Sequence, residues 1–257
     1  MHRFAAASIA ALLTLSGVAL GSGPEDGADA SQTWSPSPVW RVGGEPEHEV
    51  ESREIRGTMM FRAGPVRTDT ALPVGYPRPT APEAIEIKHF PSVRRAEIRG
   101  GGGRDDGMYG FNTTRAFWPL FNHIKKRDIA MTTPVEMDYE GVDLAGDMKP
   151  EGWSMSFLYR TPELGPTGSD GDVVVYDTEP VTVLALGVRG DMSRRDMERG
   201  FKALAAWLEE HPEWEVAGDP RTFGYNGPNI ASRNRWHEVQ VPIRPAVIED
   251  EAVASGG

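Results

Sequence analysis

Two segments of the chain carry hydrophobic residues at the spacing of an amphipathic α-helix. In the first segment, apolar side chains recur at positions i, i+3, i+4 and i+7 and form a single stripe. One of the polar residues at 112–114 is able to cap the start of this helix, which we expect to run to about Lys126. Pro119 lies inside it and leaves the exact start open. The stripe consists of Phe117, Leu120, Phe121 and Ile124.

The second helix has clearer ends. Ser193 and Asp196, three residues apart, form a near capping box, and Pro212 stops the helix at the other end. Its apolar residues recur at i, i+4, i+7 and i+11, at Met197, Phe201, Leu204 and Leu208. Both segments therefore predict helices that bury one face.

Strands are predicted where the period changes to two. Residues 153–160 alternate apolar and polar side chains, which indicates a strand with one buried face. Residues 219–227 are rich in turn formers and precede the final strand. The other predicted strands are a pair within 84–98 broken at Pro91, then 173–176, 181–188 and 238–242.

The two halves of the regular region share one order of elements. A strand at 93–98, and again at 181–188, is followed by a glycine-containing turn, an amphipathic helix and further strands. This order predicts a duplicated strand–helix–strand–strand unit and an α+β fold, with two helices on a curved antiparallel sheet.

The ends of the chain differ in composition from this region. Residues 1–21 contain a basic start, an apolar stretch and a small-residue cleavage site, which predicts a signal peptide and an exported protein; an uncleaved membrane anchor is the alternative. Residues 22–82 are rich in Pro, Gly and Ser and predict a mostly disordered linker, with one short strand at 58–62. Residues 83–243 form the predicted domain and residues 244–257 a flexible tail.

Charge and cysteine content narrow the function classes. The 257 residues include 27 Lys and Arg against 38 Asp and Glu, a net charge of −11, so neither nucleic acid nor an anionic membrane surface is an expected partner. The absence of cysteine excludes disulfides, thiolate nucleophiles, cysteine-ligated metals and covalent haem attachment. Cations nevertheless gather around the first helix, at Arg115, Lys125, Lys126 and Arg127.

Five segments of the chain together resemble the SOUL haem-binding protein family. The resemblance covers residues 83–243 and depends on the order and spacing of the segments. They are EIKHFP at 86–91, IAMTTPV at 129–135, SFLYR at 156–160, FGYNGP at 223–228 and RWHEVQVP at 235–242.

The resemblance implies a fold and a ligand. The implied fold is a distorted antiparallel β-barrel of two βαββ repeats with two amphipathic helices, of the GyrI-like type. The implied ligand is haem or another tetrapyrrole, bound without a covalent bond beside the first helix through apolar contacts and basic residues. The positions carried over are Phe117, Leu120, Phe121, Ile124 and Met131, with Arg115, Lys125 and Arg127 as the basic groups. Three aromatic residues on this helix, Phe117, Trp118 and Phe121, leave less room for a macrocycle than aliphatic residues would, so another planar ligand stays open.

His123 is the candidate for an axial ligand, although it lies about 110° from the centre of the stripe and could reach a ligand only from its flank. No Ser-His-Asp set, carboxylate pair or His-Glu-x-x-His motif has convincing spacing. We therefore expect a carrier or buffer rather than an enzyme, with no metal site apart from haem. Two alternatives stay open: a ligand-free scaffold in the cell envelope, or an enzyme with Glu97 or Glu238 buried beside an aromatic wall. The oligomeric state is open as well.

Overall fold

The computed structural model describes residues 37–101, 111–144, 146 and 148–247. The predicted signal peptide, the glycine-rich segment beyond residue 101 and the tail beyond residue 247 lie outside the described residues. No helix within the described ranges is long and apolar enough to cross a membrane.

The described residues contain two α-helices and fourteen strands. The helices are α1 (Phe111–Lys126) and α2 (Arg194–Glu210), both where the apolar stripes predict them. As expected, the Ser193 hydroxyl accepts a hydrogen bond from the backbone N–H of Asp196 and caps α2. The strands are β1 (Val39–Gly43), β2 (Glu51–Ile55), β3 (Thr58–Ala63), β4 (Val66–Arg67), β5 (Ile85–Phe90), β6 (Arg94–Gly101), β7 (Val135–Glu140), β8 (Gly152–Leu158), β9 (Gly168–Asp170), β10 (Val173–Asp177), β11 (Val181–Arg189), β12 (Trp214–Val216), β13 (Arg221–Gly224) and β14 (Trp236–Pro245).

The large sheet is antiparallel and has the order β1-β5-β11-β14-β13-β7-β8-β6-β10-β9, with β12 paired to β14. The predicted α+β class is confirmed. The predicted barrel is wrong, because no ladder among the described residues joins the two ends of this order. The outer edges of β5 and β6 pair with β1 and β10 instead, so the sheet stays open.

The predicted duplication is visible in the order of the strands. In one half β6 pairs with β8 and β8 with β7; in the other β11 pairs with β14 and β14 with β13. The two halves meet where β7 pairs with β13. Helix α1 packs on β6 and β8, and α2 packs on β11 and β14, so each repeat places its helix on the equivalent strands.

Residues 37–82 differ most from their expectation. Composition predicted a mostly disordered linker, but these residues form β1 to β4, including the strand predicted at 58–62. Their few apolar residues have no core of their own and are buried instead on the sheet face opposite the helices, where Tyr76 meets the edge of the Phe90 ring at 5.0 Å. The buried side chains are Phe61, Ala63, Val66, Leu72, Tyr76 and Ala81.

Two further strands differ from the sequence pattern because tertiary contacts override the local signal. The turn-rich stretch at 219–227 contains β13, which lies between β7 and β14 and is held by ladders on both sides. Strand β8 is buried along its whole length, although alternation predicted one exposed face. The sheet has cores on both faces, so the polar positions of β8 are covered as well.

Candidate functional site

Helix α1 divides its apolar residues between the core and the surface. Leu120 and Ile124 are fully buried against the sheet. Phe117 and Phe121 are only partly buried, and Trp118 is 50% exposed. At 100° per residue these three aromatic residues lie on one flank of the helix. The predicted stripe therefore contributes two residues to the core and two to an accessible surface.

The aromatic ridge of α1, made by Phe117, Trp118 and Phe121, is internally packed. The rings of Phe117 and Phe121 stack with centroids 5.8 Å apart, and Trp118 meets both rings edge-on at 5.8 and 5.9 Å. Phe117 also contacts Phe157 of β8 at 5.2 Å. Such contacts hold the rings in place before any ligand arrives. The ridge can therefore offer a pre-formed apolar face to a flat molecule.

Two of the three predicted cations border this ridge. Lys125 lies one turn beyond Phe121, and Arg115 lies one turn before Trp118; both are exposed. Among the described residues, no carboxylate lies within 4.0 Å of either one. Arg127 differs, because its Nη1 donates to Asp170 Oδ2 at 2.6 Å.

His123 lies on the core side of α1 and is 3% exposed. Its Nε2 is hydrogen-bonded to the Tyr159 hydroxyl at 2.8 Å, and its Nδ1 to Asp170 Oδ2 at 2.9 Å. Burial lowers the pKa of His123, while the hydrogen bond with Asp170 acts in the opposite direction. A ring nitrogen becomes available to iron only when one of these hydrogen bonds breaks.

The pocket next to α1 is small. It has a volume of about 270 Å³ and is lined by the first half of the helix and by strands β6 and β8. A Cβ on Gly100 would lie 2.3 Å from the Trp153 ring, so the glycine lets this indole approach the strand. The Trp153 Nε1 is buried without a hydrogen-bond partner among the described residues. Pockets that enclose drug-sized ligands typically measure roughly 300–1,000 Å³, so this one does not enclose a tetrapyrrole.

The residues of α1 therefore fit one mode of binding of the implied ligand, on the surface of the helix, and do not fit the other, inside an enclosed pocket. They fit a planar apolar anion that lies on the aromatic ridge, with its acid groups near Lys125 or Arg115. They do not fit a haem enclosed beside Leu120 and Ile124 and ligated by His123. Met131, the remaining predicted contact, is partly buried against the helix-side core. No group of three or more His, Cys, Asp or Glu side chains that could hold a metal ion occurs within the described ranges.

Sequence reasoning missed an extended ion network on the opposite face of the sheet. Arg95 Nη1 donates to Glu136 Oε1 at 3.0 Å and to Asp138 Oδ2 at 3.1 Å, and Arg221 Nη1 donates to Glu136 at 3.0 Å. Burial and the neighbouring Glu136 raise the pKa of Asp138 to about 7. The signal was present in the sequence, because charged residues stand at i and i+2 in these strands and so share one face.

Glu97 and Glu238, the two carboxylates of the alternative enzyme site, lie on the same face of the sheet as this ion network. Glu238 is fully buried and accepts hydrogen bonds from Lys88 Nζ at 2.9 Å and from the Tyr225 hydroxyl at 2.7 Å. Glu97 accepts a hydrogen bond from the Tyr176 hydroxyl at 2.7 Å and forms an ion pair with Arg99 Nε at 2.7 Å. Burial raises the pKa of each carboxyl, and the partners lower it to a net value below the ordinary one. Both groups are engaged in structural pairs.

Comparison with known proteins supports the resemblance seen in the sequence. A family model described as "SOUL heme-binding protein" matches residues 76–242, which is more than half of the chain. A search among curated proteins found no match.

Solved structures with a similar fold include the crystal structure of the EcmrR C-terminal domain, with 14% identity and a TM-score of 0.50 over 63% of this chain and 98% of that one. The cryo-EM structure of an EcmrR–DNA complex gives 13% identity and a TM-score of 0.50; the match covers 63% of this chain and 57% of that chain. A crystal structure of a hydrolase from Listeria innocua gives 12% identity and a TM-score of 0.45, over 65% of this chain and 94% of that one. At these identities, the two EcmrR likenesses show a shared fold alone.

Proposed function

Because the chain belongs to the SOUL haem-binding protein family, we propose that it binds haem or a related tetrapyrrole reversibly on the aromatic ridge of α1. The observation that carries this proposal is the half-exposed Trp118, held against Phe117 and Phe121 and bordered by Lys125. The role we propose is that of a carrier or buffer. Export by way of residues 1–21 is part of this proposal.

The proposed contacts match the chemistry of a tetrapyrrole. One face of the macrocycle packs against the indole of Trp118 and the ring of Phe121, which removes apolar surface from water on both sides. The carboxylates at the edge of the ligand accept charge-assisted hydrogen bonds from Lys125 or Arg115. The other face of the ligand stays in solvent, so the affinity is modest, as reversible delivery requires. When haem is bound, its iron supplies no contact that this mode of binding needs.

Titration of the full chain with hemin and with metal-free protoporphyrin IX tests the proposal. We expect saturable changes in the absorption spectrum near 1:1 stoichiometry for both compounds, because the ring and its carboxylates are recognised rather than the iron. Flat spectra with both compounds at micromolar protein would contradict the proposal and favour the ligand-free scaffold.

Variants of α1 locate the site. Trp118→Ala and the double variant Arg115→Glu/Lys125→Glu should each weaken binding roughly tenfold or more, since each removes a contact worth about 1.5 kcal/mol or more. Arg195→Glu/Lys202→Glu, at two exposed positions of α2, is the control for charge, because it makes the same change in net charge on the other helix. His123→Ala should weaken binding less than the double variant. Ligation of iron by His123 would be indicated if His123→Ala weakened binding more than the double variant did, and if it abolished the response to hemin but not the response to protoporphyrin IX.

A further inference from the structure

The small sheet β2-β3-β4 has one face in the core and one face in solvent. Phe61 and Ala63 of β3 point into the core, so Met60 and Arg62 point outward, as alternation along a strand requires. The ladders place Arg62 directly opposite both Glu51 of β2 and Arg67 of β4. All of this sheet precedes the region matched by the family model.

This outward face lines a groove of about 680 Å³. Its far wall is the loop at 226–230, which Asp69 holds against the sheet: Asp69 accepts hydrogen bonds from Asn226 Nδ2 at 2.9 Å and from the backbone N–H of Gly227 at 2.8 Å. The volume is within the range of pockets that take one small molecule. The lining includes three arginines and three apolar residues, Arg53, Arg62, Arg67, Ile55, Met60 and Ile230.

The arginines of the groove have no carboxylate partner in the part of the chain that the structure describes. Among the described residues, no carboxylate lies within 4.0 Å of a guanidinium nitrogen of Arg53, Arg62 or Arg67. Arg62 Nε donates to the backbone carbonyl of Gly64 at 2.6 Å, and this acceptor is neutral. Like charges directly opposite on neighbouring strands destabilise a sheet, so the pair Arg62 and Arg67 costs stability unless an anion lies between them.

From this arrangement we propose that the groove binds an amphipathic anion, with a carboxylate or phosphate head on the arginines and an apolar body over Met60, Ile55 and Ile230. The planar fork of a guanidinium group can donate two parallel hydrogen bonds to a carboxylate or to a phosphate. Glu51 and Asp69 at the rim limit the excess of positive charge and favour a head with one or two charges over a polyanion. The proposal is independent of the ridge on α1, and either one stands if the other fails.

Isothermal titration calorimetry on the full chain measures binding to the groove with four probes, and the three amphipathic probes are kept below their critical micelle concentrations. Dodecanoate and dodecyl phosphate should bind saturably near 1:1. Inorganic phosphate should bind at least tenfold more weakly, because it lacks the apolar body, and dodecyltrimethylammonium should not bind. Saturation by only one of the two anionic amphipaths would identify which head group the arginines select, and would support the proposal.

Two double variants of equal charge change locate the binding. Arg62→Gln/Arg67→Gln should weaken the binding of both anionic amphipaths at least tenfold, and its unfolding temperature should equal or exceed that of the wild type because the like-charge pair is gone. Arg195→Gln/Lys202→Gln, on the exposed face of α2, should leave binding unchanged. Equal binding by the two variants, equal binding of the cationic amphipath, or no saturation by either anion at about 1 mM would each overturn the proposal.

Discussion

His237 on β14 is a partly buried imidazole that makes folding sensitive to pH. Its Nδ1 is buried without a hydrogen-bond partner among the described residues, and burial lowers the pKa of the side chain to about 4, although a backbone hydrogen bond with Gly190 acts in the opposite direction. In the unfolded chain a histidine has a pKa of about 6.5. The unfolded state therefore binds a proton first as pH falls, and stability present above about pH 6.5 is lost toward pH 4.

We expect His237→Gln to remove this part of the acid sensitivity. Between pH 7.5 and pH 4.5 the wild type should lose roughly 2–3 kcal/mol more free energy of unfolding than the variant, because the pKa of His237 is about 4 in the folded state and about 6.5 in the unfolded chain. Urea unfolding at the two pH values measures the difference. His89→Gln, on an exposed position of β5, is the control for loss of an imidazole. If the two variants lose equal stability on acidification, His237 does not carry the effect.

Single residues also show where sequence reasoning about the site ends. The spacing of the α1 stripe correctly predicted an amphipathic helix, but periodicity does not say which part of a stripe meets the core. Ala116 and His123 belong to the buried face, so the core is centred to one side of the stripe and Phe117 and Phe121 are left at the surface. The burial of His123 depends on Tyr159 and Asp170, which are distant in sequence.

At the scale of elements, Lys88 on β5 and Glu238 on β14 form an ion pair across the intervening β11, and both side chains are fully buried. Removing one partner of a buried pair leaves the other charge unpaired, which costs about 3–5 kcal/mol. We expect Lys88→Met to lose stability in this range. Lys88→Met/Glu238→Gln should recover much of it, because the remaining amide is neutral and can still accept from Tyr225. Urea unfolding of the single and double variants measures the coupling, and additive losses would contradict it.

Elements were predictable where local signals agree with tertiary structure. The ends of α2 follow from Ser193 and Pro212, and β5 and β6 follow from the break at Pro91. Strand β13 was not predictable, because its four residues lie among turn formers and form a strand only through ladders to β7 and β14. The exposure of β8 was predicted wrongly, since alternation cannot distinguish a solvated polar face from a buried ion network.

At the scale of the whole molecule, the composition of residues 37–82 concealed their role. Few apolar residues in a Pro- and Gly-rich segment cannot form a core alone, but they can complete the core of a sheet that leaves one face uncovered. The segment also takes part in the polar face: the backbone N–H of Thr80 donates to Glu238 Oε1 at 2.7 Å, and its carbonyl accepts from Trp236 Nε1 at 2.8 Å. The segment also provides one end of the large sheet, because β1 pairs with β5, and no local pattern in the sequence indicates this position.

Truncated chains should therefore show whether residues 37–82 are part of the folded core or only a linker. A chain that begins at Ser37 keeps every contact described above and should unfold at the same temperature as the full chain. A chain that begins at Glu83 loses the cover over Phe90 and Trp236 and the Thr80 hydrogen bond to a buried carboxylate, so it should unfold without a cooperative transition or bind a hydrophobic dye. Circular dichroism melts and dye fluorescence measure both. A cooperative melt of the shorter chain within a few degrees of the longer one would mean that the sheet needs no cover on this face.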